Sequence, residues 1–395
     1  MIKKKTFSFF PIFFSLTFIW NLFSWVFKPL PAKPPPWPYQ RPTPTPTSSS
    51  PSRPTLFPTA TLTPTIFQIP TPTLIPTIAL TPTSTIVPTA TPTTGSWPIQ
   101  SVSSMKETKD RVCGQRDQAF VDRWVDKAKE LGANFVAIET PYDSPACGNA
   151  VEYTRKWINT IRSRGLKVWH RHMPLAFEGI YDKTKVKEDY LGMIGNYIKN
   201  HADFFREGDI FTPIPEPQNG GIAGVTYCSQ NLCIFDGKVH FNQWLREAMD
   251  VAENAFNQIG LSGKIKIGYF GFDGFVAWGS NNPDWQGILE EATIQKMGNL
   301  TIDHYPELIG QTMAQGLNEV MAKYPGLPII IGEWGSVGNN NIEQQVRSSM
   351  AAAKRPGVVG FNYWHLGMGG NEALINEDFS NRPQFDEVQG FFKNN

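Results

Sequence analysis

The chain has 395 residues, enough for one large or two ordinary domains, and a formal net charge of +1 that hides a strong asymmetry. Residues 1–106 carry eight basic and no acidic residues, whereas the remainder carries all 35 acidic residues against 28 basic ones, a net charge of −7. An acidic body of this kind excludes nucleic acid as its expected partner.

The first predicted element is an uncharged, aromatic-rich segment at residues 7–27, preceded by Lys3, Lys4 and Lys5. About twenty apolar residues can cross a bilayer as a helix, and lysines before them favour a cytoplasmic start. Residues 1–28 are therefore predicted to be an uncleaved membrane anchor or a cleaved signal peptide. The anchor is favoured because no clear small-x-small cleavage site is present. Either alternative places the body at the extracellular face of the membrane or outside the cell.

A Pro/Thr-rich linker follows at residues 29–96. Of the 33 prolines in the chain, 20 lie between Pro29 and Pro98. This composition cannot bury a core and favours a disordered, extended polyproline II chain. We interpret the linker as a spacer between the membrane and the body, with threonines that are candidates for O-glycosylation.

From residue 97 to residue 395 the pattern alternates between short apolar runs and amphipathic helices. The predicted strands are 99–104, 134–140, 166–172, 209–215, 264–270, 300–304, 328–332 and 358–363. The predicted helices are 120–131, 151–164, 186–205, 241–259, 287–295, 312–323, 343–354 and 385–392. Eight strand–helix pairs predict an α/β fold of the (β/α)₈ TIM-barrel type. A doubly wound open sheet is the alternative, but no Gly-rich phosphate-binding fingerprint follows the first strand.

Barrel enzymes keep their active-site groups at the carboxyl ends of the strands. Polar and aromatic residues stand at the predicted ends, namely Glu139, His170, His172, Glu216, Phe272, Asp273, His304, Tyr305, Glu333, Trp364 and His365. Two of them, Glu216 and Glu333, follow the fourth and seventh strands and are 117 residues apart. Two carboxylates facing each other across a barrel mouth are typical of glycoside hydrolysis, with retention or inversion decided by their separation.

The chain from about residue 97 onward resembles the clan of retaining (β/α)₈ glycoside hydrolases that includes many cellulases and β-mannanases, clan GH-A. Glu216-Pro217 is similar to the clan's acid/base segment, and Gly332-Glu333-Trp334 to its nucleophile segment. Asp303-His304-Tyr305 and the Trp364 that ends the eighth strand also resemble clan segments. The resemblance implies that Glu216 is the acid/base and that Glu333 is the nucleophile, supported by Tyr305. It also implies that the ring of Trp364 forms the base of the sugar subsite.

One position departs from the clan pattern. Pro215 stands where most members have an Asn that bonds the sugar 2-hydroxyl, and proline offers no side-chain donor. We expect another residue to bond the sugar 2-hydroxyl instead, and the candidates are His170, Arg171, His172, Gln218 and Asn219. Further predicted substrate-binding residues are His304 and the tryptophans Trp278, Trp285 and Trp334, whose rings suit the C–H faces of sugars.

The four cysteines, Cys113, Cys147, Cys228 and Cys233, all lie in the body. An exported context makes two disulfides plausible, Cys113–Cys147 and Cys228–Cys233, and buried free thiols are the alternative. No cofactor and no metal are predicted. A metal-dependent barrel hydrolase is the weaker hypothesis, because His170, His172 and His304 form an incomplete ligand set.

The sequence thus predicts a surface-anchored glycoside hydrolase that cleaves β-glycosidic bonds in a polysaccharide, with endo action. The alternative in a different class is a barrel that binds glycan without cleaving it, which the substitution at Pro215 makes plausible. The identity of the glycan does not follow from the sequence.

Overall fold

Parallel strands form one curled sheet around the axis of the body. The computed structural model describes residues 97–108, 115–141, 149–173, 187–215, 217, 237–273, 289–305, 310–336, 341–367 and 370–394. The strands within them are β1 Ile99–Ser103, β2 Phe135–Pro141, β3 Lys167–Met173, β4 Ile210–Thr212, β5 Lys266–Ile267, β6 Gly271–Asp273, β7 Leu300–Asp303, β8 Ile329–Trp334 and β9 Val358–Tyr363. Their order in the sheet is β5-β4-β3-β2-β1-β9-β8-β7-β6.

The two outermost strands of that order, β5 and β6, are consecutive pieces of one extended segment. β5 pairs with β4, and β6 pairs with β7, while residues 268–270 between them lie outside both ladders. One segment therefore joins both edges of the sheet, and the eight extended segments form a (β/α)₈ barrel.

Helices follow the strands and cover the sheet. They are α1 Met105–Thr108, α2 Gln118–Leu131, α3 Ala150–Ser163, α4 Lys187–Asn200, α5 Gly237–Gln258, α6 Glu291–Met297, α7 Met313–Lys323, α8 Ile342–Ala353 and α9 Pro383–Lys393. Local chemistry fixes their ends: Asp117 accepts a hydrogen bond from the Phe120 N–H at 2.8 Å, and Gly132 ends α2 in the left-handed region. A capping box between Thr312 and Gln315 begins α7.

Alternation along the strands divides the core into two clusters. A small inner cluster fills the barrel with Ile99, Phe135, Ala137, Trp169, Ile210 and Ile330. A much larger outer cluster lies between the sheet and the helices and includes Trp124, Trp157 and Trp244, which are on the buried faces of their helices. A side chain on an inward position of a strand therefore reaches the barrel axis, and its neighbour reaches the helices.

All eight predicted strands are present, and the predicted barrel is confirmed. The helix predicted at 287–295 is α6, which begins later, at Glu291, and the short helix α1 is an addition to the predicted set. The fifth strand extends to Asp273 and is interrupted. Within the described ranges, no helix is long and apolar enough to cross a membrane. The predicted anchor, the linker and all four cysteines lie outside the described residues, so these predictions remain predictions.

Candidate active site

Glu333 reaches the barrel mouth because β8 is irregular near its carboxyl end. Ile329 and Ile331 face the helices and Ile330 faces the axis, so strict alternation would turn Glu333 outward. The register of β8 shifts against both neighbouring strands in this region, and Glu333 pairs with Asp303. Such a bulge re-aims the side chain that follows it. The Glu333 carboxylate consequently contacts groups of the inner face, and Trp334 turns outward.

Two side chains bind the Glu333 carboxylate. The Tyr305 hydroxyl donates a hydrogen bond to Oε1 at 2.7 Å, and Nη1 of Arg171 donates one to Oε2 at 3.0 Å. The side chain of Glu333 is 8% exposed, and that of Arg171 only 3%. Charge-assisted hydrogen bonds in such a setting are short and directional, so the carboxylate is held in one orientation.

Arg171 also links a second buried carboxylate to this site. Its Nε lies 3.4 Å from Oε1 of Glu139, whose side chain is fully buried. Glu139 and Arg171 occupy paired positions on β2 and β3, both on the inward face. The guanidinium therefore bridges the two carboxylates, with a hydrogen bond to Glu333 and an ion pair to Glu139.

Asp303 forms the floor beneath these groups and fits only because two glycines leave room. A Cβ added at Gly271 would lie 2.1 Å from Oδ2 of Asp303, and one at Gly332 would lie 2.7 Å from Oδ1. A small cavity of about 10 Å³ is lined by Asp303, Arg171 and Pro215, among others. A cavity of that size with polar walls is near the minimum that holds one water molecule.

Trp364 stands beside the mouth at the end of β9 and is partly exposed. The backbone N–H of Trp364 donates a hydrogen bond to the carbonyl of Trp334 at 2.7 Å, which fixes the backbone at this position. Nζ of Lys106 lies 5.6 Å from the centroid of the Trp364 ring. A half-exposed ring with a cation nearby is a surface on which a sugar face can pack.

Four predicted substrate-binding residues are instead buried in the outer layer. His170, His172, His304 and Trp334 are each 0% exposed. His172 stacks on Tyr197 with centroids 4.2 Å apart, and Trp334 packs edge-on against Phe361 at 5.7 Å. These positions give packing roles, because outward positions on the strands face helices and not the axis. The assignment of the four residues to sugar contact is corrected accordingly.

Burial also sets the protonation of these histidines. It lowers the pKa of His172 to about 3 and that of His304 to about 4, and it lowers the pKa of His170. Burial opposes ionisation of Asp209, but hydrogen bonds from His170 and Arg162 outweigh it and lower the pKa of that carboxyl to about 2. The histidines are thus neutral at pH 7, and Asp209 is charged.

The remaining predicted site residues, Glu216, Gln218 and Asn219, lie outside the described residues. The positions that flank Glu216 are described: Pro215 and Pro217 are both buried, and the Pro215 carbonyl accepts a hydrogen bond from the Gly271 N–H at 2.7 Å. The aromatic loop with Trp278 and Trp285 is likewise outside the description.

Sequence reasoning missed the role of Arg171 as a partner of Glu333 and the role of Asp303 as the floor. Strand alternation puts Arg171 on the same face as Trp169, but only the structure shows that this face is the inward one. Among the described residues, no group of three or more His, Cys, Asp or Glu side chains is arranged to hold a metal ion.

Comparison with known proteins gives structural relatives only. No protein-family model and no curated protein sequence matches the chain. A GH5_18 protein from Streptomyces cattleya, solved with GlcNAc, is 14% identical with a TM-score of 0.57, covering 75% of this chain and 80% of its own. The endo-beta-1,4-mannanase from Thermotoga petrophila is 12% identical with a TM-score of 0.54, covering 75% and 77%.

A third similar structure is the glycoside hydrolase family 30 subfamily 8 xylanase of Clostridium acetobutylicum, with 13% identity, a TM-score of 0.50, and coverage of 76% and 72%. At these identities the likeness concerns the fold. The chain shares the barrel fold of these glycoside hydrolases, so the comparison agrees with the resemblance at the level of architecture.

Proposed function

We propose that the chain is a glycoside hydrolase that cleaves β-glycosidic bonds with retention, using Glu333 as nucleophile and Glu216 as acid/base. The observation that carries the proposal is the Glu333 carboxylate at the end of β8, held by Tyr305 at 2.7 Å and Arg171 at 3.0 Å. A carboxylate fixed in this way at a barrel mouth is suited to attack on an anomeric carbon. The shared fold of the similar structures supports the same reaction class.

The proposed reaction has two steps. In the first, Glu333 attacks the anomeric carbon while the protonated Glu216 gives its proton to the leaving oxygen, which forms a glycosyl ester and frees the aglycone. In the second, Glu216 removes a proton from water, the water oxygen attacks the same carbon, and Glu333 leaves as a carboxylate. Tyr305 and Arg171 stabilise Glu333 whenever it is charged.

The substrate is proposed to be a polysaccharide or oligosaccharide, and no cofactor takes part. Similar structures contain GlcNAc and Manb1-4GlcNAc, and one is an endo-beta-1,4-mannanase. β-Mannans and Manβ1-4GlcNAc conjugates therefore lead the substrate panel. We further propose that residues 1–28 anchor the chain in the membrane and residues 29–96 hold the body at the extracellular face, as their composition favours.

The test is the loss and rescue of turnover on aryl β-glycosides and on the polysaccharide panel. Glu333→Ala and Glu216→Ala are each expected to lower kcat/KM by at least about 10²-fold, and azide is expected to restore turnover by taking the place of the missing carboxylate. Glu253→Ala, an exposed glutamate on α5, is the matched control and should leave activity unchanged. Full activity in both site variants contradicts the assignment.

A second candidate function is glycan binding without hydrolysis. It is favoured by Pro215, which occupies a position that usually supplies a hydrogen-bond donor to the sugar. Unmutated protein that binds glycans on an array but releases no reducing sugar from any of them would support this function over the first.

A further inference from the structure

A second cavity lies at the opposite end of the barrel from Glu333. Its volume is about 510 Å³, and its walls come from residues at or just before the starts of five extended segments: Ile99, Lys266, Asn299, Pro328 and Gly357 are examples. The cavity therefore opens at the amino ends of the strands, which we call the bottom of the barrel. Cavities of this size are typical of sites that bury a small ligand or several side chains.

The walls of the bottom cavity are apolar and aromatic. Ile99 and Ile330, which also belong to the inner cluster, are buried lining residues, while the lining residues Tyr269 and Tyr324 are partly exposed. Among the described residues that line it, Lys266 is the only charged one. Grooves lined by aromatic rings and proline are the surfaces on which extended polyproline II segments bind.

The first described residues of the chain lie at this cavity. Pro98 and Ile99 are among its lining residues, and the neighbouring Trp97 is fixed by stacking on Phe361 with ring centroids 5.2 Å apart. The described part of the chain therefore begins one residue before the cavity wall. Residues 83–96 read Thr-Ser-Thr-Ile-Val-Pro-Thr-Ala-Thr-Pro-Thr-Thr-Gly-Ser, with no charge and one apolar pair before a proline.

We propose that residues 83–96, which we call the plug segment, dock in the bottom cavity with Ile86, Val87 and Pro88 in contact with the aromatic walls. At about 3.1 Å per residue, the eight residues between Pro88 and Trp97 can span about 25 Å, so a tether of this length can bring Pro88 back to the cavity wall that begins at Pro98. A tether this short gives an effective concentration on the order of millimolar, so a weak contact suffices for occupancy. The proposal does not depend on the catalytic assignment.

The test is hydrogen exchange followed by mass spectrometry on the full chain, reconstituted with lipid because free detergent would compete for an apolar cavity. The linker contains a matched internal control, since Leu74-Ile75-Pro76 repeats the pattern of Ile86-Val87-Pro88. Amides of Ile86 and Val87 are expected to exchange at least about tenfold more slowly than those of Leu74 and Ile75. Equal exchange at the two sites would overturn the proposal.

Variants locate the contact. I86D/V87D is expected to abolish protection of the plug segment, whereas the matched L74D/I75D should leave it intact. M321E, which places a charge on the cavity wall, is expected to remove protection while the far-UV circular dichroism stays unchanged. Protection that survives M321E, or that disappears on dilution because a second copy supplies the segment, contradicts docking within one chain.

Discussion

Nη1 of Arg171 lies 3.0 Å from Oε2 of Glu333, although 162 residues separate them in the chain. The contact crosses the barrel mouth from β3 to β8 and exists because both side chains lie on the inward face. An arginine that binds two carboxylates, here Glu139 and Glu333, is a positioning residue whose removal acts on the geometry of both.

Replacing Arg171 tests this bridge. R171Q is expected to lower kcat/KM by about 10²-fold, and R171K by about tenfold or more, because the compact ammonium of a lysine cannot contact both carboxylates as the planar guanidinium does. The R171Q/E139Q double variant should regain stability, since the unpaired carboxylate is removed, but not activity. R246Q, which breaks a surface pair with Glu290, is the control. Wild-type kinetics in R171Q would refute the role.

Tyr305→Phe removes the second hydrogen bond to Glu333. A hydrogen bond to a charged group contributes about 1.5–3 kcal/mol, so kcat/KM is expected to fall by roughly 10- to 100-fold. The measurement is steady-state kinetics on an activated aryl glycoside. Tyr324→Phe, at the bottom of the barrel, should leave the kinetics as they are. A Y305F protein with full activity would show that the hydrogen bond from the Tyr305 hydroxyl to Glu333 does not contribute to catalysis.

Gly271→Ala tests the space around Asp303. The new Cβ would fall 2.1 Å from Oδ2, so we expect a loss of about 1–3 kcal/mol in the free energy of unfolding, measured in urea. The second change D303S is expected to recover part of that loss. Gly192→Ala in α4 meets nothing within 4 Å and should be neutral or stabilising. Equal effects of the two alanines would contradict the packing argument.

Asp209 is expected to be a structural carboxylate. It accepts hydrogen bonds from Arg162 at 2.7 Å and from the backbone N–H groups of Val168 and Arg206 at 3.1 and 2.8 Å. D209N leaves the buried guanidinium without its charge partner and should cost about 3 kcal/mol in the free energy of unfolding. D250N, at a surface pair with Lys296, should cost less than about 1 kcal/mol. The depressed pKa adds stability above about 3.8 that is lost as pH falls to about 2.

The buried His172 is expected to make the free energy of unfolding depend on pH. Its folded pKa is about 3 against 6.5 in the unfolded chain, so the unfolded state takes up the proton first as pH falls below 6.5. The contribution of His172 to the free energy of unfolding is therefore fully present above pH 6.5 and falls by up to about 5 kcal/mol by pH 3. H172F should flatten this slope, and H240Q, at an exposed histidine, should not. Parallel slopes for wild type and H172F would contradict the prediction.

The sequence was sufficient for the order and the type of the strands, because long apolar runs and helical spacing are strong local signals. The contact between Tyr305 and Glu333 was expected only from the resemblance to the glycoside hydrolase clan, and the structure contains it. Trp334 was placed wrongly since nothing in the sequence marks the bulge that turns it outward. The sequence does not show that Arg171, and not His170 or His172, faces the barrel axis. Which face of a strand is turned inward depends on tertiary contacts that one sequence does not contain.

The interrupted fifth strand has a consequence for how the barrel comes apart. At residues 268–270 the closure relies on side chains: Thr212 donates from its hydroxyl to the Tyr269 carbonyl at 3.0 Å and accepts from the Trp169 indole at 2.9 Å. Elsewhere around the ring, backbone ladders join neighbours. Local opening should therefore begin at this seam, and exchange of interior amides would report the strength of the Thr212 contacts before it reports the strength of the whole fold.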